Sequence, residues 1–207
     1  RIESQHKRTS LIVCGLDPQT DDREQLDKDC LDIAKMLYKA GADIHYQDKY
    51  GWNALAMGAI RGMTRYCEFL IGKNVSIDSM DNQNRTALMK AVAHAQLPTA
   101  RILIESGATL SLKDLNGLTA LHHAVLLASN NESYIPFFQE ILSYYNLSLI
   151  EGLVDYHGRN ALMYATIEGS MKVCRILLEK GCDPRRVDNF QLSVTQMPRD
   201  PVLREIL

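Results

Sequence analysis

No stretch of this 207-residue sequence approaches the ~20 consecutive apolar residues of a membrane helix, so a soluble chain with no membrane partner is expected. Charge of one sign is missing too: 23 Lys and Arg stand against 25 Asp and Glu, a formal net of −2. A chain without a basic field lacks the main attraction for nucleic acid, and direct contact with nucleic acid is not expected. Cysteine is sparse and odd in number. Cys14, Cys30, Cys67, Cys174 and Cys182 form no CxxC pair and have no companion His at zinc spacing. They read as reduced core residues of an intracellular protein, cytoplasmic or nuclear. Chemical motifs are absent in the same way: there is no G-x-S-x-G, no Gly-rich phosphate loop and no H-E-x-x-H. Gly72 and Lys73 form a lone GK without the rest of a phosphate loop. His122 and His123 are adjacent, and neighbours on a helix point about 100° apart, too far to chelate one metal together. The expectation is therefore no catalysis, no cofactor, no metal and no small-molecule substrate. The first residue is Arg1 rather than Met, which reads as part of a longer polypeptide.

What the sequence does have is repetition. Asp48 to Leu55 reads DKYGWNAL, Asp81 to Leu88 DNQNRTAL, Asp114 to Leu121 DLNGLTAL and Asp155 to Leu162 DYHGRNAL. Counted to Asp188, the leading Asp residues are spaced by 33, 33, 41 and 33 positions. A second motif keeps step, with KAGAD at 39–43, ESGAT at 105–109 and EKGCD at 179–183 each closing an apolar-periodic run. A period of about 33 residues carrying a T-P-L-H-x-A-like core resembles the ankyrin repeat over nearly the whole chain. The match has departures: Ala54, Ala87, Ala120 and Ala161 replace the usual Pro, and Ala56, Met89 and Met163 the usual His, which only His122 retains. Ala and Met are good helix formers, so the helical expectation stands.

The resemblance implies an all-α repeat solenoid of stacked helix-turn-helix units with short β-hairpin tips, in a single domain over 1–207. Its repeats are placed at 1–47 with an acidic insertion, 48–80, 81–113, 114–154 with an insertion, 155–187, and 188–207 as a degenerate C-terminal cap. In the first, Thr9 to Leu11 marks a helix near residues 6 to 15, and a second helix is expected from about Leu31 to Ala40, capped by Gly41. Between them Leu16 to Asp29 fails as a calcium loop, since Lys28 stands where a bidentate Glu is needed, and reads as a solvated acidic loop. Later helices are expected near 54–60, 64–71 and from Pro98, with Asn74 taking a left-handed cap. Ala128 to Ser133 reads as a polar inter-helix loop tolerant of shortening. Phe138 and the nearby tyrosines read as core, and Leu88, Leu121 and Leu162 as buried between repeats. Pro198 and Pro201 interrupt the last repeat, leaving Val202 to Leu207 as a final turn.

The resemblance also gives the surface an address, because ankyrin arrays bind through their hairpin tips and first helices. The matching tip positions carry Lys49, Tyr50 and Trp52, then Gln83 and Arg85, then Leu118, then Tyr156, His157 and Arg159. The first helices add Arg61, His94 and Leu126. Trp52, Arg85, Leu118 and Arg159 share one register and are expected to form a row alternating apolar and cationic side chains, suited to a segment alternating hydrophobic anchors with Asp or Glu. Trp, Tyr and Arg are the residue types enriched at interface hot spots. The function implied is binding of a protein or peptide partner through the concave tip and inner-helix surface. The alternatives are a regulatory domain of a transcription regulator, or a recruiting appendage of an enzyme whose catalytic domain lies elsewhere. By the same resemblance His122 ties neighbouring hairpins, while His123 faces elsewhere.

Overall fold

A short acceptor side chain that can reach two backbone donors is what each tip requires, and Asp supplies it. In the computed structural model, which describes residues 23–196, Oδ1 of Asp48, Asp81, Asp114, Asp155 and Asp188 each accepts the N–H groups two and four residues on, at 2.8–3.0 Å. Each Asp also donates its own N–H to the carbonyl four residues on, at 2.9–3.1 Å. The turn is closed by these three bonds, an arrangement that Asp favours and Ala could not replace. The residue three after the Asp is driven to positive φ, and Gly51, Asn84, Gly117, Gly158 and Gln191 stand there. At Gly117, with φ +80°, a Cβ would lie 2.6 Å from the Tyr156 backbone N, so conformation and space both select glycine.

Each complete turn hands over to a helix through the residue five after the Asp. Asn53, Thr86 and Asn160 accept the N–H three residues on at 2.8, 3.3 and 3.0 Å, and Thr119 forms a capping box with His122. The helices are α1 (Arg23–Lys39), α2 (Ala54–Arg61), α3 (Thr64–Ile71), α4 (Ala87–Ala93), α5 (Leu97–Glu105), α6 (Ala120–Asn130), α7 (Ile135–Ser143), α8 (Leu147–Gly152), α9 (Ala161–Ile167) and α10 (Met171–Glu179). Among the described residues the one β pairing outside them is an isolated bridge between Val187 and Ser193. The all-α repeat class is what is found, with tips built as tight turns.

The chain divides into two compact units, Arg1–Thr109 and Leu110–Leu207. In the first, α2 packs on α3 and α4, α3 on α1 and α5, and α4 on α5, with Leu55 and Leu88 at 0% and 1% exposure between them. In the second, α6 packs on α7, α9 and α10, while α10 also packs on α7 and α9; Leu121 and Leu162 are both wholly buried. Phe138 and Tyr145 lie in this core as expected, whereas Tyr134 and Tyr144 are half-buried. Asn74 adopts φ +61°, the left-handed cap its position called for.

Two expected loops are helical instead. The helix placed from Leu31 starts at Arg23, so the described part of the acidic insertion is the first turns of α1. The cause lies in α3, whose N-cap residue Met63 has no side chain to offer the first N–H groups. Asp27 reaches across from α1 to do so: Oδ2 accepts from Arg65 and Oδ1 from Tyr66, both at 2.9 Å. The other correction is Ala128 to Ser133. Helix α6 continues to Asn130 because Ala128 is fully buried, and a 3-10 turn, Glu132–Tyr134, leads directly into α7. The further extra residues of this 41-residue repeat form α8, capped by Asn146. The motif at Thr9 to Leu11, the helix near 6 to 15, residues 16–22, Cys14, both terminal prolines and the turn after Val202 lie outside the described residues.

Candidate docking surface

The tip turns free the side chains one and two residues after each Asp from any role in closing the turn. In the first unit Lys49 and Gln83 are exposed and Tyr50 is 46% exposed. Asn82 joins the two tips, giving its backbone N–H to the Tyr50 carbonyl and its amide to the Lys49 carbonyl, both at 3.0 Å. A cleft of about 320 Å³ opens there, lined by Tyr50, Trp52, Asp81, Asn82, Gln83 and Arg85. Arg61 is half-buried at the end of α2, and His94 is exposed at the end of α4, its Nδ1 2.9 Å from the Lys90 carbonyl. In the second unit Tyr156 is 58% exposed, His157 is exposed with its ring tilted 31° to that of Phe190 at a centre-to-centre distance of 5.9 Å, and Leu126 is half-buried on α6.

The expected row is only partly a surface. Leu118 is buried at 9% exposure, because its turn folds it under the tip, and it presents nothing to a partner. The arginines of the row are tethered: Arg85 gives Nε and Nη2 to Asp81 Oδ2 at 3.2 and 3.1 Å, and Arg159 Nε lies 3.4 Å from Asp188 Oδ2. Trp52 is half-buried with Lys90 Nζ 4.4 Å from its ring centre.

A second job of the Asp residues escaped the sequence reading. While Oδ1 closes the turn, Oδ2 meets the side chain nine residues on: Lys90 at 2.5 Å from Asp81, His123 at 3.0 Å from Asp114, and Tyr164 at 2.8 Å from Asp155. His123 therefore faces its own tip, not the neighbouring one that His122 meets. The signal was the fixed nine-residue spacing. Phe190, 60% exposed, was also missed, though it stands two residues after Asp188 in the register of Tyr50, Gln83 and His157. A smaller cleft of about 230 Å³, between α7 and α10 and lined by Gln139, Leu142, Ile176, Glu179 and Lys180, had no sequence signal at all.

Burial sets the electrostatics. It pushes His122 down to about 4, although the Arg159 carbonyl 3.2 Å from Nε2 favours a proton there, so the imidazole is neutral and links the Asp114 and Asp155 tips of the second unit. Burial alone would raise Asp81, but the bonds from Lys90 and from the Arg85 and Gln83 N–H groups hold it below the usual carboxylate value. The thiols of Cys67, Cys174 and Cys182 are all raised by burial, Cys182 to about 12, so none is a ready nucleophile near neutrality. Among the described residues no three His, Cys, Asp or Glu stand together to hold a metal ion, and no helix is long and apolar enough to cross a membrane.

A family model described as ankyrin repeats (3 copies) matches residues 26–114 and 107–188. Human inversin is 29% identical over 224 residues, covering 91% of this chain and 20% of inversin. An L-asparaginase of Dirofilaria immitis is 26% identical over 163 residues, covering 79% of this chain and 26% of that protein. The chicken nuclear factor NF-kappa-B p105 subunit is 27% identical over 169 residues, covering 77% and 16%. The chain thus spans about a quarter or less of the length of these relatives. A chain of the solved complex of a predatory endopeptidase from Bdellovibrio bacteriovorus with an immunity protein superposes with a TM-score of 0.67 at 23% identity, covering 86% of this chain and 90% of that one. That likeness is one of fold.

Proposed function

Because this chain belongs to the ankyrin-repeat family, whose repeats form protein-interaction modules, we propose that its tip turns and first helices are the surface that binds a protein or peptide partner, with no catalysis of its own. The observation that carries this reading is the division of labour at the tips of Asp81, Asp114 and Asp155. One Asp oxygen closes the turn, the other is anchored by a side chain of the following helix, and the residues just after the Asp are left to solvent. A surface held this way loses little freedom on docking, which favours binding without induced order. Tyr50, Trp52, Gln83 and Arg85 in the first unit, and Tyr156 and His157 in the second, are the contact residues proposed. Arg61, His94, Leu126 and Arg159 flank them. The match to a quarter of an L-asparaginase lends a second reading, that such repeats serve as an enzyme's recruiting appendage.

The test is a binding comparison on partners selected from a display library with the whole chain as bait. Tyr50→Ala and Tyr156→Ala should each weaken a selected partner by about 2 kcal/mol if its contact centres there. Lys180→Ala, on the second-helix side, should leave binding unchanged. Tip variants that bind like the parent while Lys180→Ala weakens would move the surface to the second helices.

A further inference from the structure

The cleft of the first unit has a lining of mixed chemistry. Part of its lining is aromatic, from Tyr50 and Trp52, and part is polar, from Asp81, Asn82, Gln83 and Arg85. Its electrostatics are unbalanced. Lys49, Arg85 and Lys90 bring three positive charges, against the two carboxylates of Asp48 and Asp81. Asp81 is spent, since Oδ1 takes two backbone N–H groups and Oδ2 takes Lys90 and Arg85. Asp48 is 6% exposed, with Oδ1 closing its own turn. Arg85 reaches Asp81 through Nε and Nη2, which leaves Nη1 for another acceptor, and its side chain is 34% exposed. Lys49 Nζ stands 4.8 Å from the centre of the Tyr50 ring, at the rim. The Gln83 side chain is exposed and makes no bond among the described residues, so its amide can pair with a peptide group.

Resting on the protein-docking reading, we infer that this cleft is an anchor site for an extended peptide segment of a partner in which an apolar or aromatic side chain stands next to an Asp or Glu. The apolar side chain lies against Tyr50 and the open part of Trp52. The neighbouring carboxylate accepts from Arg85 Nη1 and offsets the excess positive charge, while the Gln83 amide meets the segment's backbone. A segment with Lys or Arg beside the apolar residue would bring like charge to Lys49 and Arg85 and is rejected. The site spans two adjacent tips, not a row through four repeats.

Trp52 is the chain's single tryptophan, so its fluorescence reads occupancy of this cleft directly. The probes are nine-residue Gly-Ser peptides, blocked at both ends, with Phe-Asp, Phe-Asn or Phe-Lys at the centre. Phe-Asp should shift the Trp52 emission saturably, Phe-Asn should bind about tenfold more weakly, and Phe-Lys weaker still. Two variants at exposed positions carry the argument without disturbing the fold. Gln83→Glu places a negative charge on the rim and Tyr50→Ala removes part of the aromatic lining; each should weaken Phe-Asp about tenfold. No saturable shift with Phe-Asp, equal affinity for Phe-Asp and Phe-Lys, or an unchanged affinity in Gln83→Glu overturns the inference. Random-peptide and folded-domain display against the whole chain separates the two levels. Enriched binders that lack the acidic pattern and tolerate Gln83→Glu sink the cleft while sparing the docking reading. No enrichment from either library sinks the docking reading itself.

Discussion

Lys90 is 3% exposed, and an ammonium buried to that degree is costly unless its charge is met. It is met on two sides, by Asp81 Oδ2 at 2.5 Å and by the face of Trp52 at 4.4 Å. The pair is not symmetric, because Asp81 also holds its turn and Arg85, whereas Lys90 makes its one ion pair with Asp81. Asp81→Ala therefore strands a buried cation and opens the tip, and should cost about 3–5 kcal/mol in urea unfolding. Lys90→Met places there the residue type that Met57 supplies in the preceding repeat; Asp81 keeps its other donors, and the cost should stay below about 2 kcal/mol. Equal losses for the two variants would show that Asp81 works through Lys90 alone. None of this was legible from the Asp spacing, which located the turns but said nothing of Oδ2. Finding it needed the helix register that brings a residue nine positions on back over its own tip.

A helix whose N-cap residue cannot accept a hydrogen bond must borrow a cap, and α3 borrows Asp27 from α1. A carboxylate there satisfies two first-turn N–H groups and meets the positive end of the helix dipole, while Glu24 adds an exposed contact to Arg65 at 3.4 Å. Asp27→Ala should cost about 1–2 kcal/mol by chemical denaturation and raise hydrogen exchange first at Arg65 and Tyr66. An effect no larger than that of Asp29→Ala, an exposed neighbour, would refute the cap. The start of α2 lies where it was expected because Asn53 caps locally, within three residues of its donor, and Thr86 and Asn160 begin α4 and α9 in the same way. The start of α1 was hidden because what stabilises Asp27 in a helix lies 38 and 39 residues away. The end of α6 was hidden for a related reason. Ser129, Asn130 and Asn131 look like a loop, but Ala128 before them is fully buried, so trimming this segment would strip a helix end. The docking surface divides the same way: tip positions follow from the repeat register, but the burial of Leu118 and the tethering of Arg85 and Arg159 depend on neighbours the register does not specify.

At the scale of the molecule, near balance of charge decides how stability responds to acid. With a formal net charge of −2 and a sequence pI near 6.3, general repulsion stays small across mildly acidic pH, and single buried groups dominate. His122 is the one that acts first. It is wholly buried, and burial lowers it from 6.5 to about 4 in the folded chain. Unfolding lets the imidazole take a proton at its ordinary value, so the unfolded state binds more protons throughout that window. The contribution of neutral His122 is therefore fully present above pH 6.5 and is lost as pH falls towards 4, to a total of about 3 kcal/mol. Asp81 and Asp188 work in a lower window. Both are held below the ordinary carboxylate value of 3.8 against the opposing effect of burial, Asp81 by Lys90 and backbone N–H groups, Asp188 by the N–H groups of Leu192 and Phe190 and by Arg159. Their contribution persists down to about 3.8 and is lost below it. Urea midpoints measured between pH 7.5 and 4.5 should fall steadily below 6.5, and His122→Gln, though less stable at pH 7.5, should give a flatter profile. If the variant's profile is as steep as the parent's, the acid sensitivity has another source and His122 is not the group that titrates.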